Sequence, residues 1–389
     1  MSRNPFAPTF GAAPPLMAGR EAILSDIADA FSTGPTHPSY TSLFLGCRGS
    51  GKTVILGALR DLAHERGWLS ISSAAVASGL LNRIAHRCVE HLNRCSDRLP
   101  DKVMADLNAA GIGVGAHYDP QSDLSRRIDN VFAALGALAT ADGTGLLITV
   151  DELHAGDIDE LKLLGIAVQE VVRVGRHPVA FAGAGLTLLE DSLLADTSVT
   201  FLQRCARYDV GFLDPTAAWE AIAQPVRELG TRMSPQAVDR AVTVSQGYPF
   251  MVQLVGFHAW VAANDPESEI TEEDVNVGAE IAARQIGQLV VAPIWKDLSP
   301  TAKRFAIAMA QDEGESRIAD IAARLGVSSG YASVYRHRLL RTGLISTAGH
   351  GKIDFALETT RDWVRTLDEY RLIEESRRRH PMGFNRPSR

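Results

Sequence analysis

The run Gly46-Cys47-Arg48-Gly49-Ser50-Gly51-Lys52-Thr53 has the spacing G-x-x-x-x-G-K-[ST], a pattern that handles polyphosphate. Glycines let consecutive backbone N–H groups turn inward around a phosphate. A lysine reaches the β- and γ-phosphates, and the hydroxyl after it ligates Mg²⁺. Lys52 and Thr53 take those two parts here, and Gly46, Arg48, Gly49, Ser50, Gly51 and Val54 complete the expected cradle. A second group fits the same chemistry. Asp151 and Glu152 end the apolar run Leu146-Leu147-Ile148-Thr149-Val150, well downstream of the glycine run. Phosphoryl transfer needs an acid at such a strand end to hold hydrated Mg²⁺, the part expected of Asp151. A neighbouring acid that polarises the attacking water is the part expected of Glu152. The plainer role for this pair is to cap the helix beginning near Asp157. His154, alone on this stretch, is expected to be structural.

These residues need rigid elements behind them. Ser42-Leu43-Phe44-Leu45 reads as a buried strand, and Val54 to Leu62 has apolar residues at helical spacing. Strand, glycine loop and helix make the phosphate cradle, with the helix N-terminus adding partial positive charge. Residues 41 to about 212 alternate apolar strands with helices, the signature of a parallel α/β sheet wrapped by helices. Further strands are expected at Trp68–Ile71, Val179–Gly183 and Tyr208–Phe212, and a helix at Ala74–Arg94. Ala110–Ala116 reads as a flexible surface insertion.

Beyond that core the strands stop. Asp214-Pro215, Ser234-Pro235 and Thr271-Glu272-Glu273-Asp274 each look like a helix start, so residues 213–293 form an all-helical lid. Pro225 is expected to break or kink the first of these helices. From residue 294 to 375 the pattern predicts a winged helix-turn-helix domain. Its helices run from Ser299-Pro300 to about Gln311, from Ile318 to Leu325 and from Gly330 to Arg341. A hairpin wing at Leu344–Ser346 and Lys352–Leu357 comes next. The third helix is expected to present Ser333, Arg336, His337, Arg338 and Arg341 to a DNA major groove. Residues 1–16 read as an extended arm, and residues 376–389, with Arg377-Arg378-Arg379, as a basic disordered tail.

At 389 residues the chain is expected to hold more than one core. Its net charge of −7 is uneven: residues 296–389 carry 17 Lys+Arg against 12 Asp+Glu. The basic end points to an anionic partner for the C-terminal part alone, although modest imbalance between domains is common. No apolar run approaches a membrane span, and the first six residues lack a signal-peptide layout, so a cytoplasmic protein is expected. The four cysteines form no C-x-x-C pair. Cys88 and Cys95 are expected to share a buried helix face.

The order of these motifs resembles the AAA+ ATPases across roughly residues 5–375, in particular bacterial ATP-binding proteins grouped with the archaeal origin-recognition initiators. Pro15–Glu21 resembles the family's box near the adenine, and Val179–Leu186 the strand and turn that carry the first sensor. Phe201–Arg204 resembles the arginine-finger segment, which makes Arg204 the implied finger and Arg207 the alternative. Gly247–Gln253 resembles the opening of the lid helix with the second sensor. Two departures stand out: the first-sensor strand reads Ala182-Gly183-Ala184-Gly185 where a polar residue is usual, and Gly247–Gln253 holds no arginine. A slow Mg²⁺-dependent ATPase that works as a nucleotide-gated switch is therefore implied. It would be a homo-oligomer bound to ATP or ADP and assembling on duplex DNA through the winged helix. The alternative is a signalling or defence ATPase whose winged helix docks a protein. A helicase would need a second motor core, and a small-molecule kinase has no use for this lid and winged helix.

Overall fold

The computed structural model describes residues 4–9, 12–76, 78–117, 119, 121–173, 176–189, 200–263, 269–349 and 351–372. The basic tail expected at residues 376–389 lies outside them. The chain divides into two compact units, Phe6–Pro225 and Val226–Arg389, the latter joined by Met1–Pro5.

In the first unit, helix α1 (Glu21–Thr33) precedes β1 (Thr41–Leu45), α2 (Lys52–Glu65), β2 (Leu69–Ala74) and α3 (Leu80–Arg94). Then come α4 (Asp101–Ala109), α5 (Ile128–Ala141), β3 (Leu146–Asp151), α6 (Ile158–Arg173), β4 (Val179–Gly185), α7 (Thr200–Arg204) and β5 (Ala206–Asp209). The five strands form one parallel sheet in the order β2-β3-β4-β1-β5. The three central strands are buried along nearly their whole length, as continuous apolar runs in a sheet covered on both faces require. One face packs Leu43, Ile148, Val150 and Phe181 against α3, α5 and α6. The other packs Phe44, Leu147 and the small residues Ala180, Ala182 and Ala184 against α1 and α2.

Several expected boundaries move. Helix α3 begins at Leu80 rather than Ala74, because β2 runs on to Ala74 and Gly79 turns the chain at φ 85°. The last strand is Ala206–Asp209, ending before Phe212. The segment expected as a flexible surface insertion packs inward: Ile112 and Val114 are buried in the core that α3 and α5 share. Phe6, in the segment expected as an extended arm, is buried. Cys88 lies fully inside this core, while Cys95, at the end of α3, is partly buried against it.

Helix α8 (Pro215–Glu228) starts where Asp214 Oδ1 accepts from Ala217 N at 2.9 Å, and it continues through Pro225 instead of breaking there. In the second unit, α9 (Pro235–Ser245) is capped by Ser234, and α11 (Glu272–Ile286) by a reciprocal Thr271–Asp274 box. Between them lies the apolar helix α10 (Pro249–Ala262). Gly278 lets α11 cross α10 closely, since a Cβ there would sit 2.7 Å from Ala259 N. A π-helical turn at Gly287–Val291 leads into α12 (Ala292–Asp297).

The chain then runs α13 (Pro300–Met309), β6 (Ser316–Arg317), α14 (Ile318–Leu325), α15 (Ser329–Thr342), β7 (Ile345–Thr347), β8 (Lys352–Phe355) and α16 (Glu358–Arg365). Three helices and an antiparallel sheet ordered β6-β8-β7 follow the element order expected of a winged helix-turn-helix. Strand β6 and helix α16 extend the pattern that the sequence suggests. Asp312 anchors this part, accepting from Arg324 Nη1 and Ser316 Oγ at 2.7 Å each.

Candidate nucleotide-binding site

The glycine run forms a loop between β1 and α2, and Gly49 (φ 73°) and Gly51 (φ 96°) supply the left-handed turns that aim its amides inward. Gly46 is needed for space. A Cβ there would fall 2.4 Å from Val210 O and 2.6 Å from Ser50 Oγ. No side chain caps the start of α2, and its first turn holds no acidic residue. Its N–H groups and the positive end of the helix dipole are thus left to an anion. Ser50 Oγ is buried without a hydrogen-bond partner, an unmet polar atom inside the loop.

Lys52 is 8 % exposed, and its Nζ donates to Gly46 O at 3.1 Å and Cys47 O at 2.6 Å. Burial pulls its pKa down, while Cys47, Glu152 and Asp151 pull the other way. The ammonium is therefore poised on the loop's own carbonyls, close to where phosphate oxygens would replace them. The Thr53 hydroxyl donates to Asp151 Oδ2 at 2.6 Å, so the two expected metal ligands meet although far apart in sequence. Asp151 Oδ1 accepts from the Glu152 backbone N–H at 2.8 Å. Glu152 itself adopts φ 55°, the left-handed region, which turns its side chain off the strand axis. Its Oε2 lies 3.2 Å from His154 Nε2.

An uncapped helix, a glycine cradle, a buried lysine and an unmet hydroxyl fit a polyphosphate. Thr53 and Asp151 offer the hard oxygen ligands Mg²⁺ prefers.

Arg204 is not brought to this loop. It is exposed at the end of α7, just ahead of β5. Ala206 pairs with Ser42, which places the start of β5 roughly 13 Å along the sheet from Gly46 at about 3.3 Å per residue. The phosphate loop lies at the opposite end of the neighbouring strand β1.

Sequence reasoning missed Arg20, whose guanidinium donates to Gly211 O and, at 3.5 Å, to Ser50 O. It ties the phosphate loop to the chain leaving β5. The Pro15–Glu21 box contains it, but a lone charged residue there reads as solvated, so its contact across the fold is not legible.

Residues 17–181 match the AAA ATPase domain family. Residues 288–364 match a family described only as a domain of unknown function. The chain shares its fold with the Walker-type ATPase PABY2304 of Pyrococcus abyssi (TM-score 0.63, 16 % identity, 90 % of this chain and 96 % of that one). It shares it too with the ORC2 protein of Aeropyrum pernix, solved as ADPNP and ADP complexes (TM-score 0.62, 11 % identity, 95 % and 98 % of the chains). No curated protein sequence matches the chain. Among the described residues no helix is long and apolar enough to cross a membrane.

The third helix of the C-terminal part keeps only some of its expected layout. Tyr331, Val334, His337 and Arg338 are exposed on α15, whereas Ser333, Arg336 and Arg341 are half-buried. Ser333 Oγ donates back to Ser329 O at 2.9 Å. Lys352, on the wing, is paired with Glu315 at 2.7 Å. Tyr331 and Tyr335 lie with ring centroids 5.2 Å apart, and Arg338 stacks on the Tyr335 ring at 5.2 Å.

Proposed function

We propose that this protein is a Mg²⁺-dependent ATPase whose bound nucleotide governs its assembly on duplex DNA. The observation that carries the nucleotide half is the Thr53–Asp151 contact at 2.6 Å beneath an uncapped α2. Mg²⁺, when bound, supplies charge neutralisation at the β- and γ-phosphate oxygens. Thr53 and Asp151 would hold it. The loop amides and Lys52 orient the triphosphate, and Glu152 takes the proton from the attacking water. No polar side chain follows Ala182 in β4, which supports slow turnover and the work of a switch. Arg204, exposed and far from its own loop, suits a finger offered to a neighbouring copy, so an oligomer forms the complete site.

The DNA half rests on the winged helix and the exposed face of α15, where Arg338 and the Tyr331–Tyr335 pair combine a cation with two amphipathic rings. The ORC2 protein that shares the fold was solved with ADPNP and ADP, which supports nucleotide occupancy in this architecture. The test is a salt titration of the full chain against duplex DNA, with and without ATP. Phosphate contacts release counterions, so log affinity falls with log salt by about 0.9 per contact. Arg338→Ala is expected to flatten that slope by about one unit, and Arg336→Ala, being half-buried, to leave it unchanged. Absence of binding at low salt in both nucleotide states would favour the signalling reading, in which the same face docks a protein.

A further inference from the structure

The end of β4 reads Gly183-Ala184-Gly185 and offers no polar side chain beside Glu152. The structure supplies a polar link by another route. Leu153 to Ala155 form a 3₁₀ turn just after the Asp151-Glu152 pair. Leu153 is buried in the space Gly183 leaves open, where a Cβ would meet Leu153 Cδ1 at 2.5 Å. That packing presses the turn against β4. His154 then accepts the Leu186 backbone N–H on Nδ1 at 3.4 Å, and its Nε2 lies 3.2 Å from Glu152 Oε2.

The backbone donor decides the tautomer. An amide N–H can only give a proton, so Nδ1 carries the lone pair and the proton of the neutral ring sits on Nε2. Nε2–H therefore donates to the Glu152 carboxylate. Burial lowers the His154 pKa, opposed by Glu152 and reinforced by Lys52 and Arg48, with Asp151 acting weakly the other way. The side on which Glu152 is held is set by the sheet. Strand β4 lies between β3 and β1, and the phosphate loop leaves β1. A link from Glu152 to the end of β4 keeps the carboxylate toward that loop and away from β2.

We propose that His154 is the positioning residue for Glu152, bridging the Leu186 amide and the carboxylate so that the base faces the γ-phosphate. This inference rests on the ATPase reading above. It replaces the structural part expected of His154 from sequence.

The experiment compares full-length wild type, Glu152→Gln, His154→Ala, His154→Gln and His154→Asn by calorimetric ATP affinity and steady-state phosphate release. His154→Ala is expected to keep ATP affinity within about threefold of wild type and to lower kcat by about tenfold or more. His154→Gln places an amide N–H where Nε2–H stood, and restores kcat to within about threefold of wild type. His154→Asn keeps only the acceptor for Leu186 and does not. Nitrogen-15 NMR of histidine-labelled wild type reads the ring directly, with no variant that must fold, and shows the Nε2–H tautomer. Turnover in His154→Ala equal to wild type while Glu152→Gln is inactive would overturn the positioning role and leave the site reading intact. So would an Nδ1–H tautomer. Wild-type turnover no higher than that of Glu152→Gln would remove the ATPase reading and this inference together.

Discussion

Ser50→Ala separates a loop built for phosphate from one that merely resembles it. Ser50 Oγ is fully buried and has no hydrogen-bond partner. An unmet buried hydroxyl costs about 1 to 3 kcal/mol, so its removal is expected to stabilise the nucleotide-free protein. For a unit of this size each kcal/mol raises the melting temperature by about 2 to 4 °C. If that hydroxyl donates to a phosphate oxygen, its loss removes a charge-assisted bond of about 1.5 to 3 kcal/mol, which weakens ATP binding roughly 10- to 100-fold. The two effects have opposite signs. Thermal melts of both proteins without ligand and with ATP, alongside calorimetric affinities, read them separately. Ser50→Ala should melt higher than wild type without ATP and lose that advantage as ATP is added, because ligand stabilisation falls with affinity. A variant that melts lower without ligand, or binds ATP as tightly as wild type, would refute the assignment of Ser50 to the phosphate site.

Arg204→Ala is expected to lower phosphate release about 100-fold or more while leaving ATP affinity unchanged, with wild-type specific activity rising with protein concentration as neighbours assemble. A concentration-independent rate in a monomeric protein would remove the finger. In the winged domain, the Asp312 carboxyl is desolvated, which raises its pKa, but the Arg324 and Ser316 hydrogen bonds outweigh this and hold it below the usual carboxylate value. A depressed folded-state pKa contributes stability above the unfolded value of about 3.9, lost as pH falls through the folded value. Asp312→Asn is therefore expected to cost about 1 to 2 kcal/mol at pH 7 and to flatten the stability profile below about pH 4, checked by denaturant unfolding across pH. An unchanged profile would place the acid sensitivity elsewhere.

Burial decided how much of this was legible in the sequence. Strands β1, β3 and β4 stood out because both their faces are covered, so they are apolar throughout. Edge strands β2 and β5 show mixed burial and blurred into their neighbours, which displaced the start of α3 and the position of the last strand. The helix starts at Pro215, Pro235, Glu272 and Pro300 were readable because each cap is local chemistry. The glycine run and the Asp151-Glu152 pair carried the site for the same reason, since their spacing is the chemistry. Contacts made across the fold were not visible. Arg20 reaches Gly211, and Ile112 packs into the α3 and α5 core, through partners that no local pattern announces. The third helix stands where the sequence places it, and His337 and Arg338 face outward as expected, but Ser333, Arg336 and Arg341 are only half exposed. Its apolar periodicity is weak, so only packing shows that Arg336 and Arg341 turn partly inward while Tyr331 and Arg338 face solvent.

The central claim is that ATP is held by the loop around Lys52 and cleaved with the help of Glu152. ATP retention and phosphate release, measured on the same preparations of wild type, Lys52→Ala and Glu152→Gln, test that most directly. The structure predicts that Lys52→Ala loses most ATP affinity, because no other ammonium rests on the carbonyls of Gly46 and Cys47 among the described residues. It predicts that Glu152→Gln keeps ATP bound and falls in turnover by about 100-fold or more, the range a positioned general base supplies. Tight ATP binding by a folded Lys52→Ala protein, or undiminished phosphate release from Glu152→Gln, would contradict it.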